Sequence, residues 1–161
     1  VDHSAAVLLV NPDAEFHALF SGTHQAETFV NDVPLIMDAY PLPLLVASDV
    51  VVTRPMPGMQ MSAAYLSLAN NSDEVIRITR VASAEYESVQ LHETRIEDGV
   101  ARMRAIPVLE IAAGETVTLQ RGGKHLMLMR PTGSSDTVSL QFLDGDDLLL
   151  TVDATFEPQT N

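Results

Sequence analysis

Imidazole and thioether side chains alternate in one short segment of the chain, residues 124–129. His125, Met127 and Met129 occupy every second position there, and Leu126 and Leu128 lie between them. In an extended strand, side chains two residues apart share a face, so the leucines would lie on one face and the histidine and methionines on the other. If the leucines face the core, the opposite face is predicted to carry a binding site.

A second segment supplies the same two donor types. His92 and Met103 flank Asp98-Gly99, a pair that is favoured in two-residue hairpin loops. With that loop, His92 faces Ala105, and Met103 lies diagonal to His92 on the same face, with Cβ atoms about 7–8 Å apart or somewhat less. A four-residue loop would instead place His92 and Met103 directly opposite each other. Either register brings an imidazole and a thioether to one face.

Two imidazoles and two thioethers form a neutral set of ligands. Thioether sulfur is soft and polarisable, and among biological metal ions Cu(I) prefers it. Zinc favours cysteine, histidine or carboxylate, and calcium and magnesium require oxygen. Without a thiolate the ion is held less tightly, which suits a protein that releases its metal. The predicted metal ligands are therefore His92, Met103, His125 and Met127, with one Cu(I) ion as their cargo.

The composition excludes several other functions. A formal net charge of −13 over 161 residues argues against binding to nucleic acid or to anionic lipid, since both require a basic face. The chain has no cysteine, which excludes disulfides, thiolate zinc sites, cysteine nucleophiles and the blue-copper site. No run approaches about 18 apolar residues, so no membrane insertion is predicted. Because the chain starts at Val1 without a leader-like segment, we expect that a signal peptide has been removed and that the protein is secreted to the periplasm.

Short strand-like runs separated by turn formers dominate the chain from about residue 48. This spacing predicts an all-β fold, an antiparallel β-sandwich of cupredoxin-like or immunoglobulin-like type. The runs cover residues 50–52, 64–68, 75–78, 89–92, 117–119, 138–142 and 148–152. We therefore predict a copper-binding sandwich domain over residues 48–161.

The first 47 residues differ in composition from the rest of the chain. They contain six acidic residues and neither lysine nor arginine, and we expect them to form an N-terminal extension packed on the domain. Asn11-Pro12 is typical of a helix start, and Phe16, Leu19 and Phe20 follow at helical spacing. The sequence therefore predicts a short helix over residues 12–21 within this extension.

The four predicted ligands also match a known pattern. His92, ten residues, Met103, twenty-one residues, His125, one residue and Met127 resemble the H-x10-M-x21-H-x-M signature of the PCuAC copper chaperones. Flanking segments at 62–65, 98–100 and 122–129 agree with that family, and the resemblance covers about residues 48–157. It implies a cupredoxin-like sandwich in the bacterial periplasm that carries Cu(I) towards the copper A centre of cytochrome c oxidase subunit II.

The chain departs from that family in three places. Thr94 stands where the family often has a further methionine, and the C-terminus lacks the histidine-rich tail that some members have. Residues 1–47 have no counterpart in the simplest members. No function is therefore transferred from the family to this extension.

Several further residues have both a functional and an ordinary interpretation. Met129 is either an additional sulfur for the site or a packing residue, and Glu93 either orients an imidazole or is an exposed strand carboxylate. Three methionines around a Pro-Gly loop are either a sulfur-rich entrance or a docking or packing patch: Met56, Met59 and Met61. An accessory metal site or simple surface histidines are the alternatives for His3, His17 and His24, together with Met37.

The leading hypothesis is a copper chaperone, which is a binding and transfer protein and not an enzyme. A copper oxidase or monooxygenase would need an open coordination position and more histidines than the two beyond residue 24. A third class is a periplasmic copper-buffering or protein-interaction module in which copper binding is incidental. The acidic extension keeps this third interpretation open.

Overall fold

A computed structural model describes residues 6–10, 16–21, 43–55 and 58–157, with side chains from residue 43 onwards. The chain divides into two compact units, Val1–Leu42 and Pro43–Asn161. In the first unit, strand β1 (Ala6–Val10) pairs antiparallel with strand β2 (Phe16–Ser21), and Leu8 lies opposite Leu19.

The helix predicted over residues 12–21 is wrong where the structure describes it. Residues 16–21 form β2, and residues 12–15 lie outside the described part of the chain. An apolar run this short fits a strand as well as a helix. Pairing with β1 decides between the two, because it satisfies the backbone groups of a segment that contains two phenylalanines, which favour strands.

The described part of the second unit contains eleven strands. They are β3 (Leu45–Val52), β4 (Met61–Asn70), β5 (Ile76–Ile78), β6 (Arg80–Ala82), β7 (Tyr86–Glu97), β8 (Val100–Ala105), β9 (Leu109–Ile111), β10 (Thr116–Leu119), β11 (Lys124–Pro131), β12 (Thr137–Asp144) and β13 (Asp147–Thr155). Six of the seven predicted runs lie wholly in strands, and the seventh, 75–78, lies in β5 from Ile76 onwards. The predicted domain start at residue 48 falls within β3. Across the described ranges, no helix is long and apolar enough to span a membrane.

Nine of these strands form one antiparallel sheet that curves into a barrel-like sandwich. Its order is β10-β4-β11-β7-β6-β12-β13, with β3 also pairing with β4 and β8 with β7, while β5 and β9 pair separately. Val52 forms a parallel bridge with Phe156, and the Glu157 N–H donates to the Val52 carbonyl at 2.8 Å. This contact joins β3 to the residues that follow β13. The strand order as a whole confirms the predicted all-β sandwich.

Strand alternation places the core on one face of the sheet. In β4, every second residue from Ser62 to Asn70 is buried. Leu126 and Leu128 of β11 are fully buried, and Leu91 of β7 pairs with Leu126 on this core face. The residues between them therefore point to the opposite face, which we call the outer face.

A buried amide closes one end of β4. The Asn70 side chain is 1% exposed, and its Nδ2 donates to the carbonyls of Glu74 (2.7 Å), Ile111 (2.9 Å) and Ala112 (3.1 Å). Its Oδ1 accepts from the backbone N–H (2.9 Å) and hydroxyl (2.6 Å) of Ser72. One side chain thus connects the end of β4, the loop that follows it and β9.

Candidate metal centre

The two histidines beyond residue 24 lie directly opposite each other on neighbouring strands. β7 and β11 are antiparallel, and His92 pairs with His125 in their register. The ring centroids are 6.0 Å apart, and the ring planes are inclined by 77°. Since the adjacent Leu91–Leu126 pair faces the core, both imidazoles lie on the outer face.

His125 is held in one tautomer by the backbone. Its Nδ1 lies 3.0 Å from the Gly123 carbonyl oxygen, and a carbonyl oxygen can only accept, so Nδ1 carries the proton. In the neutral imidazole, Nε2 is therefore the nitrogen with the lone pair. The residue is only 5% exposed, so this imidazole has little freedom to reorient.

His92 is oriented by the side chain two residues before it. Its Nε2 lies 3.0 Å from Gln90 Oε1, which makes Nε2 the donor and leaves Nδ1 unprotonated. Among the residues with described side chains, His92 Nδ1 is the one buried nitrogen or oxygen atom without a hydrogen-bond partner. Burial, followed by the charge of His125, lowers the pKa of His92, which favours the neutral imidazole that a metal ion requires.

A thioether lies beside this pair. Met127 follows His125 by two residues on the outer face of β11, and it pairs with Gln90 of β7 and with Ala63 of β4. Its side chain is half-buried. The alternation predicted for residues 124–129 is confirmed, because Leu126 and Leu128 are in the core.

Met103 reaches the outer face by way of the β7–β8 hairpin. Asp98 and Gly99 have φ values of 54° and 78°, as the type I′ turn of a two-residue loop requires. His92 therefore pairs with Ala105, and Met103 pairs with Thr94 and lies diagonal to His92. The two-residue register is confirmed, and the four-residue alternative is wrong. Met103 is 50% exposed.

The two methionines lie on opposite sides of the histidine pair. Met103 pairs with Thr94, and Met127 pairs with Gln90, which precedes Thr94 by four residues on β7. The two thioethers therefore flank the histidine pair from two different strands, β8 and β11. The structure pairs His92 with His125, places Met127 two residues further along β11, and places Met103 diagonal to His92 on the exposed hairpin.

The other face of the hairpin carries ion pairs. Glu97 binds Arg104 at 2.8 Å and Arg102 at 3.6 Å, while Glu93 binds Arg95 at 2.6 Å and Lys124 at 3.7 Å. Glu93 follows His92 directly in β7, so the two side chains point to opposite faces of the sheet. The Glu93 carboxylate is therefore on the face that carries the ion pairs. This contact favours a surface role for Glu93 over the orientation of an imidazole.

The remaining candidate residues are only partly described. Met129 pairs with Met61 of β4 and with Ser88 of β7 on the outer face. His17 lies in β2, without a described side chain. The other candidates lie outside the described residues: Met56, His3, His24 and Met37. In residues 43–55 and 58–157, no three side chains of His, Cys, Asp or Glu cluster as metal ligands would.

The sequence pattern did not reveal the two groups that fix the imidazole tautomers. Gln90 could have been found from its position two residues before His92, because alternation places both side chains on one face. The Gly123 carbonyl had no such signal, because a backbone oxygen has no residue identity to recognise.

Comparisons with known proteins agree with this fold. The family described as "Putative lipoprotein LpqE-like" matches residues 45–154. A relative named "Putative lipoprotein Lxx21020", from Leifsonia xyli subsp. xyli, is 34% identical over 94 residues, 55% of this chain. The match covers 57% of that relative's own length, so the chain spans little more than half of it.

Two solved structures share the sandwich. Cu(I)-bound DR1885 from Deinococcus radiodurans is 34% identical with a TM-score of 0.58, and the match covers 74% of this chain and 82% of that one. The copper-bound PCuAC domain from PmoF2 has a TM-score of 0.60 and covers 74% and 97% of the two chains. At 20% identity, the PmoF2 domain supports the fold alone.

The fold defines a β-sandwich domain of the PCuAC class. The chain belongs to the LpqE-like family, and the PCuAC resemblance noted in the sequence is confirmed.

Proposed function

We propose that this protein is a copper chaperone that binds one Cu(I) ion at the outer face and passes it to another protein. The observation that carries the proposal is the His92–His125 pair, in which each imidazole has one nitrogen fixed as a hydrogen-bond donor and the other left with its lone pair. The thioether of Met127 belongs to the residue two positions after His125 on the same face of β11. The Cu(I)-bound state of DR1885 supports the same cargo here.

The positions of the methionines suggest how the ion is held and released. His92, His125 and Met127 form the preassembled part of the site, and Met103 completes it when the hairpin bends towards the outer face. The hairpin can bend because all six residues of β8 are exposed, and β11 pairs with β7 only as far as Glu93. An incoming ligand from the recipient would displace Met103 first.

The proposed destination is an extracytoplasmic copper protein. The family resemblance favours the copper A centre of cytochrome c oxidase subunit II, and the periplasm is the proposed compartment. In this proposal the ion stays Cu(I) during binding and release. No oxidation or substrate turnover is required, and the protein is not an enzyme. The alternative function is copper buffering, in which the protein would keep its ion in the transfer test that follows.

Transfer can be measured with the soluble copper-binding domain of cytochrome c oxidase subunit II. We expect the Cu(I)-loaded protein to lose its ion to this domain. The transfer is measured from the copper content of each protein after the two are separated. Retention of the ion on this chain, under conditions in which a small Cu(I) complex loads the same domain, would contradict delivery to this recipient.

Gln90 is expected to contribute to copper affinity without binding the metal. Gln90→Ala removes the acceptor for His92 Nε2–H, and loss of such a supporting partner typically costs about 10–100-fold in metal affinity. Competition with a Cu(I)-specific chelator measures this loss, and ¹⁵N NMR of the metal-free protein should show a mixture of His92 tautomers. Ser88→Ala, two residues earlier on the same strand, is the matched control. An unchanged affinity together with an unchanged tautomer would refute this role.

A further inference from the structure

A second group of thioethers lies next to the proposed copper site. Met59, Met61 and Met127 line one open recess of about 340 Å³ on the outer face. Met59 and Met61 are 44% and 42% exposed, so core packing does not account for them. Met127 belongs both to this recess and to the proposed copper site.

The strand register places two of these sulfurs within reach of one another. Met129 pairs with Met61, and Met127 pairs with Ala63, between β11 and β4. Met61 is therefore diagonal to Met127 on the outer face, with Cβ atoms about 7–8 Å apart or somewhat less. Met59 lies in the segment that leads into β4 and lines the same recess.

The charged groups around the recess already have partners. Arg54 pairs with Asp136 at 3.8 Å and lies over the Phe156 ring at 4.8 Å. Arg121 forms a two-oxygen pair with Glu157, at 2.8 and 2.7 Å.

The described lining of the recess contains three thioethers but neither carboxylate nor imidazole. Such a lining favours a soft monovalent ion over Zn²⁺ or Ca²⁺.

We infer that Met59, Met61 and Met127 form a second, sulfur-only position for Cu(I), through which the ion enters or leaves the histidine site. The inference rests on the proposed function for the identity of its cargo. In the exchange, Cu–S bonds to Met59 and Met61 break as Cu–N bonds to His92 and His125 form, while Met127 stays bound. The ion remains Cu(I) throughout, and no proton or electron is transferred.

The sulfur position can be tested without the histidine site. In a His92→Ala/His125→Ala double variant labelled with ¹³C-methyl methionine, Ag(I) serves as a redox-inert probe for Cu(I). We expect the methyl signals of Met59, Met61 and Met127 to shift together as Ag(I) is added. Unmoved signals of Met59 and Met61 while Ag(I) binds elsewhere would overturn the inference.

The role in exchange is tested in the full chain with its histidines present. Met59→Leu/Met61→Leu should leave the equilibrium affinity for Cu(I) within about twofold of wild type but slow Cu(I) transfer to a chelator about tenfold. Met129→Leu is the matched control, since Met129 lies on the outer face opposite Met61 and does not line the recess. An unchanged transfer rate would overturn the route.

The two tests also separate this inference from the proposed function. A wild-type chain without tight Cu(I) binding would refute the chaperone proposal, whereas the sulfur position is judged by the methionine signals of the histidine-free variant.

Discussion

His125→Ala is expected to lower the affinity for Cu(I) by more than about 100-fold. Loss of a group that merely supports a ligand costs about 10–100-fold, and His125 is proposed as a ligand itself. Its Nδ1–H is fixed on the Gly123 carbonyl, and its ring is buried beside His92. No neighbouring imidazole other than His92 is described that could replace it at this point of the sheet.

Competition between the protein and a Cu(I)-specific chelator measures this effect. His17→Ala and His24→Ala are the matched controls, because they remove the same chemical group from the segment considered for an accessory site. Both are expected to keep wild-type affinity. Circular dichroism establishes that the His125→Ala protein retains its β-structure. An affinity for Cu(I) within about threefold of wild type in that folded variant would refute the proposed site.

The local part of this site was predictable from the sequence. Asp98-Gly99 demands positive φ at two successive residues, and the resulting two-residue loop fixes the register of His92 against Ala105. Alternation within residues 124–129 likewise separates core leucines from outer-face donors, because it depends only on the two-residue repeat of a strand.

The non-local part of the site was not predictable in the same way. The sequence motif contains both histidines, but their direct pairing depends on the register of β7 against β11. A shift of two residues would have kept every side chain on its face and still separated the rings. The positions of Met103 and Met127 on either side of the histidine pair depend on the registers of β8 and β11 against β7, so neither spacing in the motif reveals them.

The errors in the fold prediction have a related cause. β6 and β9 are three residues each, which is too short for a periodic pattern, and their strand conformation comes from pairing with distant segments. Residues 16–21 were assigned to a helix because three apolar residues matched its spacing. Their partner, β1, was not predicted, and without it the competing strand could not be recognised.

Asn70→Ala is expected to destabilise the protein by about 3 kcal/mol. The substitution removes five hydrogen bonds, and the buried carbonyl of Ile111 loses its donor from this side chain. A buried polar group left unsatisfied costs about 1–3 kcal/mol, and the other four hydrogen bonds of the amide are lost with it. The loop at residues 71–75 also loses the side chain that connects it to β9.

Urea unfolding measures this loss of stability, and the neighbouring residue supplies a close control. Asn71 is exposed and its amide makes one long contact, 3.4 Å to the Pro43 carbonyl, so Asn71→Ala is expected to change stability by less than about 0.5 kcal/mol. The unfolding midpoint of Asn70→Ala should fall with little change in slope, because the folded state buries nearly the same surface. Equal midpoints for the two variants would show that the β4 end is held by its backbone pairing, and that the buried amide is dispensable.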